Sequence, residues 1–100
     1  MAVYSISSIE VKNWEIYEEY MKKVPAIIEK YGGRYLVRGG KILADDTSWH
    51  PKRVVILEFP TTEHMDSFRN SEEYKPVAEL RHKAAETEGF VVLGHDSYSN

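Results

Sequence analysis

The chain has 100 residues, 42% hydrophobic and 29% charged, with no cysteine and a formal net charge of -3. That length supports one core, so a single domain over 1–96 with a polar tail at 97–100 is expected and multidomain arrangements are excluded. The longest aliphatic run, Val54 to Leu57, is far short of the ~20 residues of a membrane helix, and no export signal opens the chain. The absence of cysteine removes disulfides and thiolate chemistry and suits a cytoplasmic setting, and 16 acidic against 13 basic residues leave nucleic acid without its positive footprint.

Residues 2–10 alternate at period two, Tyr4, Ile6 and Ser8 against Val3, Ser5, Ser7 and Ile9, which predicts a strand. Asn13 can cap a helix that begins near Trp14, with Glu15 at its positive dipole end. Tyr17, Tyr20, Met21, Val24, Ile27, Ile28 and Tyr31 form its apolar stripe. Pro25 removes one amide donor inside it, so a bend or break near Met21 is expected. Gly32 and Gly33 close the helix, and Arg34 to Arg38 reads as the second strand.

Gly39-Gly40 is a turn signal, Lys41 to Ala44 can extend or return the strand, and 45–52 is an irregular loop holding Trp49-His50-Pro51. Arg53 to Phe59, rich in β-branched residues, is the strongest strand. Thr61 caps a second helical region with Met65 and Phe68 turned inward, and Ser71 provides a second cap after a break. Tyr74, Val77, Leu80, Arg81 and Ala84 give the restarted helix a buried stripe; Gly89 is expected to end it and Phe90 to Leu93 to form the last strand.

The order is that of a ferredoxin-like βαββαβ fold, an α+β four-stranded antiparallel sheet with its helices on one face. A sheet covered on one side should alternate apolar with polar, yet Val54-Val55-Ile56-Leu57 and Phe90-Val91-Val92-Leu93 are apolar on both faces. The second face therefore also wants burial. A second copy packed sheet to sheet supplies it, so a homodimer is expected.

Tyr31-Gly32-Gly33-Arg34-Tyr35-Leu36-Val37-Arg38-Gly39-Gly40, then Trp49-His50-Pro51, Glu58-Phe59-Pro60-Thr61, and Ser71-Glu72-Glu73-Tyr74 with Arg81 resemble the domain of unknown function 1330 family, of the dimeric α+β barrel superfamily. The resemblance covers nearly the whole chain. It implies a ferredoxin-like fold and a dimer packed through its sheets, and it implies no activity. Three positions depart from the family pattern: Thr47-Ser48 where a glycine and an acid are usual, Arg69 in place of an aromatic, and Leu93 in place of a glutamate before Gly94.

Arg38, Glu58 and Arg81 are the first polar candidates for a site. Glu58 shares strand phase with Val54 and Ile56, so it points away from the helices if Val55, Leu57 and Phe59 face them. A carboxylate buried there needs a partner or a raised pKa, and Arg38 on the next strand is the expected partner. A structural ion pair is the preferred reading, with ligand binding or proton transfer as the alternative. His50 beside Trp49 can meet a small ligand, although an aromatic lid over the core explains that loop more simply. Tyr4 and Tyr35 are strand tyrosines that can line a cavity.

His50, His64, His82 and His95 lack ligand spacing, so no metal and no cofactor are expected. The glycine pairs are turns, and no serine sits in a GxSxG elbow. The leading functional reading is a homodimer that binds a small organic molecule between sheet and helices or inside the dimer. A cofactor-independent monooxygenase or isomerase acting on an aromatic or quinone-like compound stays open on fold analogy, as does a structural or stress-associated dimer without ligand.

Overall fold

The structure is a computed structural model that describes residues 1–95, so the tail expected at 97–100 lies outside the described residues. Its elements are β1 (Val3–Val11), α1 (Trp14–Lys30), β2 (Arg34–Arg38), β3 (Arg53–Phe59), α2 (Thr62–Arg69), α3 (Tyr74–Ala84) and β4 (Ala85–Leu93). The strands form one antiparallel sheet in the order β2-β3-β1-β4. This is the ferredoxin-like arrangement the patterning predicts, with the helices on one face.

Local chemistry sets the helix ends. The Asn13 side chain accepts from the Ile16 N–H, and Thr61 Oγ1 accepts from the His64 N–H at 3.1 Å. Ser71 Oγ accepts from the Tyr74 N–H at 3.1 Å and donates to the Phe68 carbonyl at 2.8 Å, so one buried hydroxyl joins the end of α2 to the start of α3. At the end of α1, Gly32 adopts φ 84° while Gly33 N–H donates to the Ile28 carbonyl and Gly32 N–H to that of Glu29. That pair of bonds satisfies carbonyls the helix leaves open, and only the left-handed glycine allows it cheaply.

Three expectations are corrected. Helix α1 runs unbroken through Pro25. The carbonyl that Pro25 leaves without a helical donor belongs to Met21, and Arg38 Nη2 donates to it at 2.6 Å. Lys41 to Ala44 form no strand, because after a last rung from Gly39 N–H to the Val54 carbonyl the chain leaves the ladder through Gly39, φ 70°. Finally, α3 ends at Ala84 instead of Gly89, and β4 begins at once. The nine residues of β1 dictate this: Ala85 to Glu88 pair with Val11 to Ser8, a register that overrides the weak strand propensity of Ala-Glu-Thr-Glu.

The core lies between sheet and helices and is divided. One cluster gathers Val3, Val24, Ile28, Phe59, Met65, Phe68, Tyr74 and Val77, and a second gathers Ile9, Tyr17 and Ala84. Each fully buried residue of the size of Ile28 or Phe59 contributes about 1.5–3 kcal/mol relative to exposure. The opposite sheet face carries no helix. It presents Tyr4, Ile6, Val54, Ile56, Glu58, Phe90 and Val92, the last two 53% and 43% exposed.

Candidate functional site

The helix-facing side of β1 reads Val3, Ser5, Ser7, Ile9. The two aliphatic residues anchor the two core clusters, and the serines between them place no bulk under the helices. Opposite Ser7 on β4 stands Gly89, where an added Cβ would lie 3.0 Å from Ser7 Cα. A cleft of about 840 Å³ therefore opens between the clusters, floored by Ser5, Ser7, Tyr35, Val55, Leu57 and Gly89 and roofed by residues of α1 and α3, among them Tyr17, Tyr20, Tyr74 and Arg81. That volume lies within the range of small-molecule sites.

The charge of the lining opposes that of the chain. Arg38, Arg53, Arg69, Lys75 and Arg81 line the cleft against a single carboxylate, Glu79. Arg38 is committed to the Met21 carbonyl, with its guanidinium 4.8 Å from the Tyr35 ring centroid. Arg53 lies over the Tyr17 ring at 5.8 Å and the Trp14 ring at 6.0 Å, and its Nη2 reaches Met21 Sδ at 3.4 Å. Arg81 contacts the His82 ring nitrogen at 3.4 Å, and the Nε atoms of Arg53 and Arg81 are buried without a hydrogen-bond partner.

Burial pushes the Tyr20 and Tyr35 phenols above the ordinary tyrosine range; for Tyr20 the proximity of Tyr74 adds to the shift and Arg81 opposes it. Both phenols stay protonated at neutral pH and are available as donors.

The other expected site residues sit elsewhere. Glu58 points away from the helices, as its strand phase predicts, but its partner is not Arg38. Arg34 Nε donates to Glu58 Oε1 at 2.6 Å and Tyr4 Oη to Oε2 at 2.8 Å. Both partners are in direct cross-strand register with Glu58. Arg38 would share their face at strict period two, but an irregularity between Tyr35 and Val37 shifts the phase and places Arg38 opposite Val55, on the helix side. The hydrogen bond from Arg34, then that from Tyr4, holds the Glu58 carboxyl below the usual carboxylate range.

Trp49 and His50 also lie away from the cleft. Trp49 Nε1 donates to Glu88 Oε2 at 3.0 Å and the Lys52 N–H to Ser8 Oγ at 2.8 Å, both acceptors on the face without helices. The loop from Gly39 to Lys52 is thus a strap on that face and not a lid over the core. His50, at φ 49°, contacts Asp45 Oδ2 through Nδ1 at 3.1 Å and donates its N–H to Thr47 Oγ1. The hydrogen bond from the Thr47 N–H, then that with His50, lowers the Asp45 pKa. These contacts explain His50 as part of the turn.

Of the expected residues, the structure brings Arg38, Arg81 and Tyr35 together, and Tyr4 with Glu58 on the far face. Sequence reasoning missed Arg53, Tyr20 and Tyr74 in the cleft. Arg53 was within reach, because it shares strand phase with Val55 and Leu57. Among the described residues no group of three or more His, Asp or Glu could hold a metal ion, and no helix is long and apolar enough to cross a membrane.

Sheet order, one-sided helices and a ligand-sized cleft define a ferredoxin-like α+β protein. Within that class the chain belongs to the domain of unknown function (DUF1330) family, whose sequence profile matches residues 2–95. No curated protein matches the chain. A protein of unknown function from Rhodopseudomonas palustris has a similar structure, with a TM-score of 0.77 at 15% identity over 95% of this chain and 83% of that one. SnoaB, a cofactor-independent oxygenase from Streptomyces nogalater, superposes with a TM-score of 0.65 at 9% identity over 99% and 98%. A dimeric ferredoxin-like protein of unknown function from Jannaschia gives 0.65 at 9% identity over 94% and 100%. These likenesses show a common fold.

Proposed function

We propose that the protein is a cytoplasmic homodimer that holds a small organic molecule in the cleft between sheet and helices. The cleft itself carries this reading: some 840 Å³ of space in the layer where a domain of this size normally closes its core. The dimeric state is supported by the apolar face without helices and by the dimeric relative from Jannaschia. A domain that served only as a structural dimer would have no reason to keep the space open.

The test is thermal unfolding against a panel of small aromatic and aliphatic acids, alcohols and amides. A compound at a hundred times its Kd stabilises the native state by about 2.7 kcal/mol, a rise of several degrees in Tm. Ser7→Phe, which fills the floor, should abolish the rise. A panel without effect contradicts the proposal.

A second reading, a cofactor-independent oxygenase acting on an aromatic or quinone-like compound, draws on the likeness to SnoaB and on the phenol-lined cleft. Oxygen uptake with a hydroquinone, lost in Ser7→Phe, would favour it over simple binding.

A further inference from the structure

Four arginines line the cleft; Arg69 is exposed, and of the other three, two are accounted for by the fold. Arg38 replaces the amide donor that Pro25 lacks, and Arg53 lies against the rings of Tyr17 and Trp14 with its terminus at Met21 Sδ. Arg81 has no such employment. It projects from α3 at half-burial, its Nε, like that of Arg53, has no acceptor, and its terminus contacts the His82 ring nitrogen at 3.4 Å and lies near enough to Tyr20 to act on its phenol. No carboxylate forms a salt bridge with Arg38, Arg53 or Arg81 among the described residues, although the chain carries 16 acidic side chains. The one carboxylate of the cleft lining, Glu79, lies against His82 Nδ1 at 3.6 Å, and other acids are paired away from the cleft: Glu58 with Arg34, Glu73 with Lys30, Glu10 with Lys12.

A half-buried guanidinium without a counterion is costly, and an incoming carboxylate offsets that cost with charge-assisted hydrogen bonds. We infer that the cleft selects a small organic anion, a planar aromatic carboxylate, whose acid group is received by Arg81 and whose ring lies among Tyr20, Tyr35 and Tyr74. The inference rests on the cleft being the ligand site and adds the chemistry of the ligand. The tyrosines supply flat apolar area together with hydroxyls that can donate to the same carboxylate. Lys75 at the rim is paired with Glu72, and Arg69, exposed, adds a positive charge there that favours the approach of an anion to a chain whose net charge is -3.

The experiment compares 2-naphthoate with its neutral isostere 2-naphthamide by calorimetric titration of the intact protein. The acid should bind at least tenfold more tightly than the amide, and Arg81→Met should reduce that preference to near unity while leaving amide affinity within about twofold. Equal affinities for acid and amide in the unmodified protein would overturn the anion inference and leave the cleft as a binding site. An acid preference undiminished in a folded Arg81→Met would overturn the role of Arg81. Binding of neither compound would contradict both the inference and the reading beneath it. The acid-to-amide ratio of the unmodified chain keeps the test decisive if Arg81→Met does not fold.

Discussion

The two faces of the sheet use the same four strands and satisfy their polar groups in opposite ways. On the face without helices, Glu58 is fully engaged by Arg34 and Tyr4, Ser8 by the Lys52 amide and Glu88 by the Trp49 indole. What that face leaves open is apolar, chiefly Phe90 and Val92. Under the helices most apolar residues are collected into two clusters, and the cleft between them has an apolar floor at Val55 and Leu57 and carries its charge chiefly as cations, Arg81 foremost. An apolar surface with completed polar contacts suits a macromolecular partner of the same kind; a cationic, phenol-rich cleft suits a small anion. The proposed function accordingly gives association to one face and ligand recognition to the other.

The sharpest way to break this division is to attack the core that only the helix face possesses. Phe59, 1% exposed, packs against Phe68 with ring centroids 5.4 Å apart. Phe59→Ala should cost about 3–5 kcal/mol in urea unfolding, the usual range for a buried phenylalanine. A loss below about 1 kcal/mol would mean that the helix side is not the main core.

On the other face, Val92→Asp should leave the fold intact and separate the proposed dimer. Light scattering should then fall from twice the 11.6 kDa chain mass to that mass itself. An unpaired charge in an interface costs several kcal/mol, enough to raise the dissociation constant by about a hundredfold. If both proteins have the same mass at micromolar concentration, the association face is misassigned.

A smaller effect separates the structural arginine from the recognition arginine. Arg38→Met should cost about 1 kcal/mol, because the Met21 carbonyl loses its donor, and Pro25→Ala should largely remove that cost by restoring the helical N–H. Additive costs in the double variant would show that Arg38 does not serve Pro25.

The smallest effect concerns pH. Glu58 has a depressed pKa in the folded state, so it contributes stability that is present above its unfolded pKa, about 4.3, and is lost as pH falls through the folded value. Glu58→Gln should be less stable than the parent from neutral pH down to about 4.5, with the gap closing at lower pH. A gap that stays constant down to pH 2 would contradict the ion pair.

Most of the fold was legible because local rules and tertiary packing agree along β1, α1 and β3, and the caps at Asn13, Thr61 and Ser71 lie where side-chain chemistry requires them. The departures occur where a distant residue intervenes. Arg38 repairs the helix at Pro25 from another element, and β1 draws Ala85 to Glu88 into a strand across a glycine that would otherwise read as a helix stop. The site was half legible for the same reason. Periodicity placed Glu58 on its face, but the strand register sets Arg34 directly opposite it, and one irregularity in β2 turns Arg38 to the helix side. The cleft has no motif at all. It arises from the small residues Ser5, Ser7 and Gly89 meeting between two clusters, a juxtaposition that depends on strand register.

The central claim, that the ligand enters beneath the helices and not on the open face, is tested most directly by intermolecular nuclear Overhauser effects between 2-naphthoate and the labelled protein. The account predicts contacts from the naphthalene protons to the rings of Tyr20, Tyr35 and Tyr74. Contacts to Tyr4, Trp49 or Ile56 in their place would contradict it.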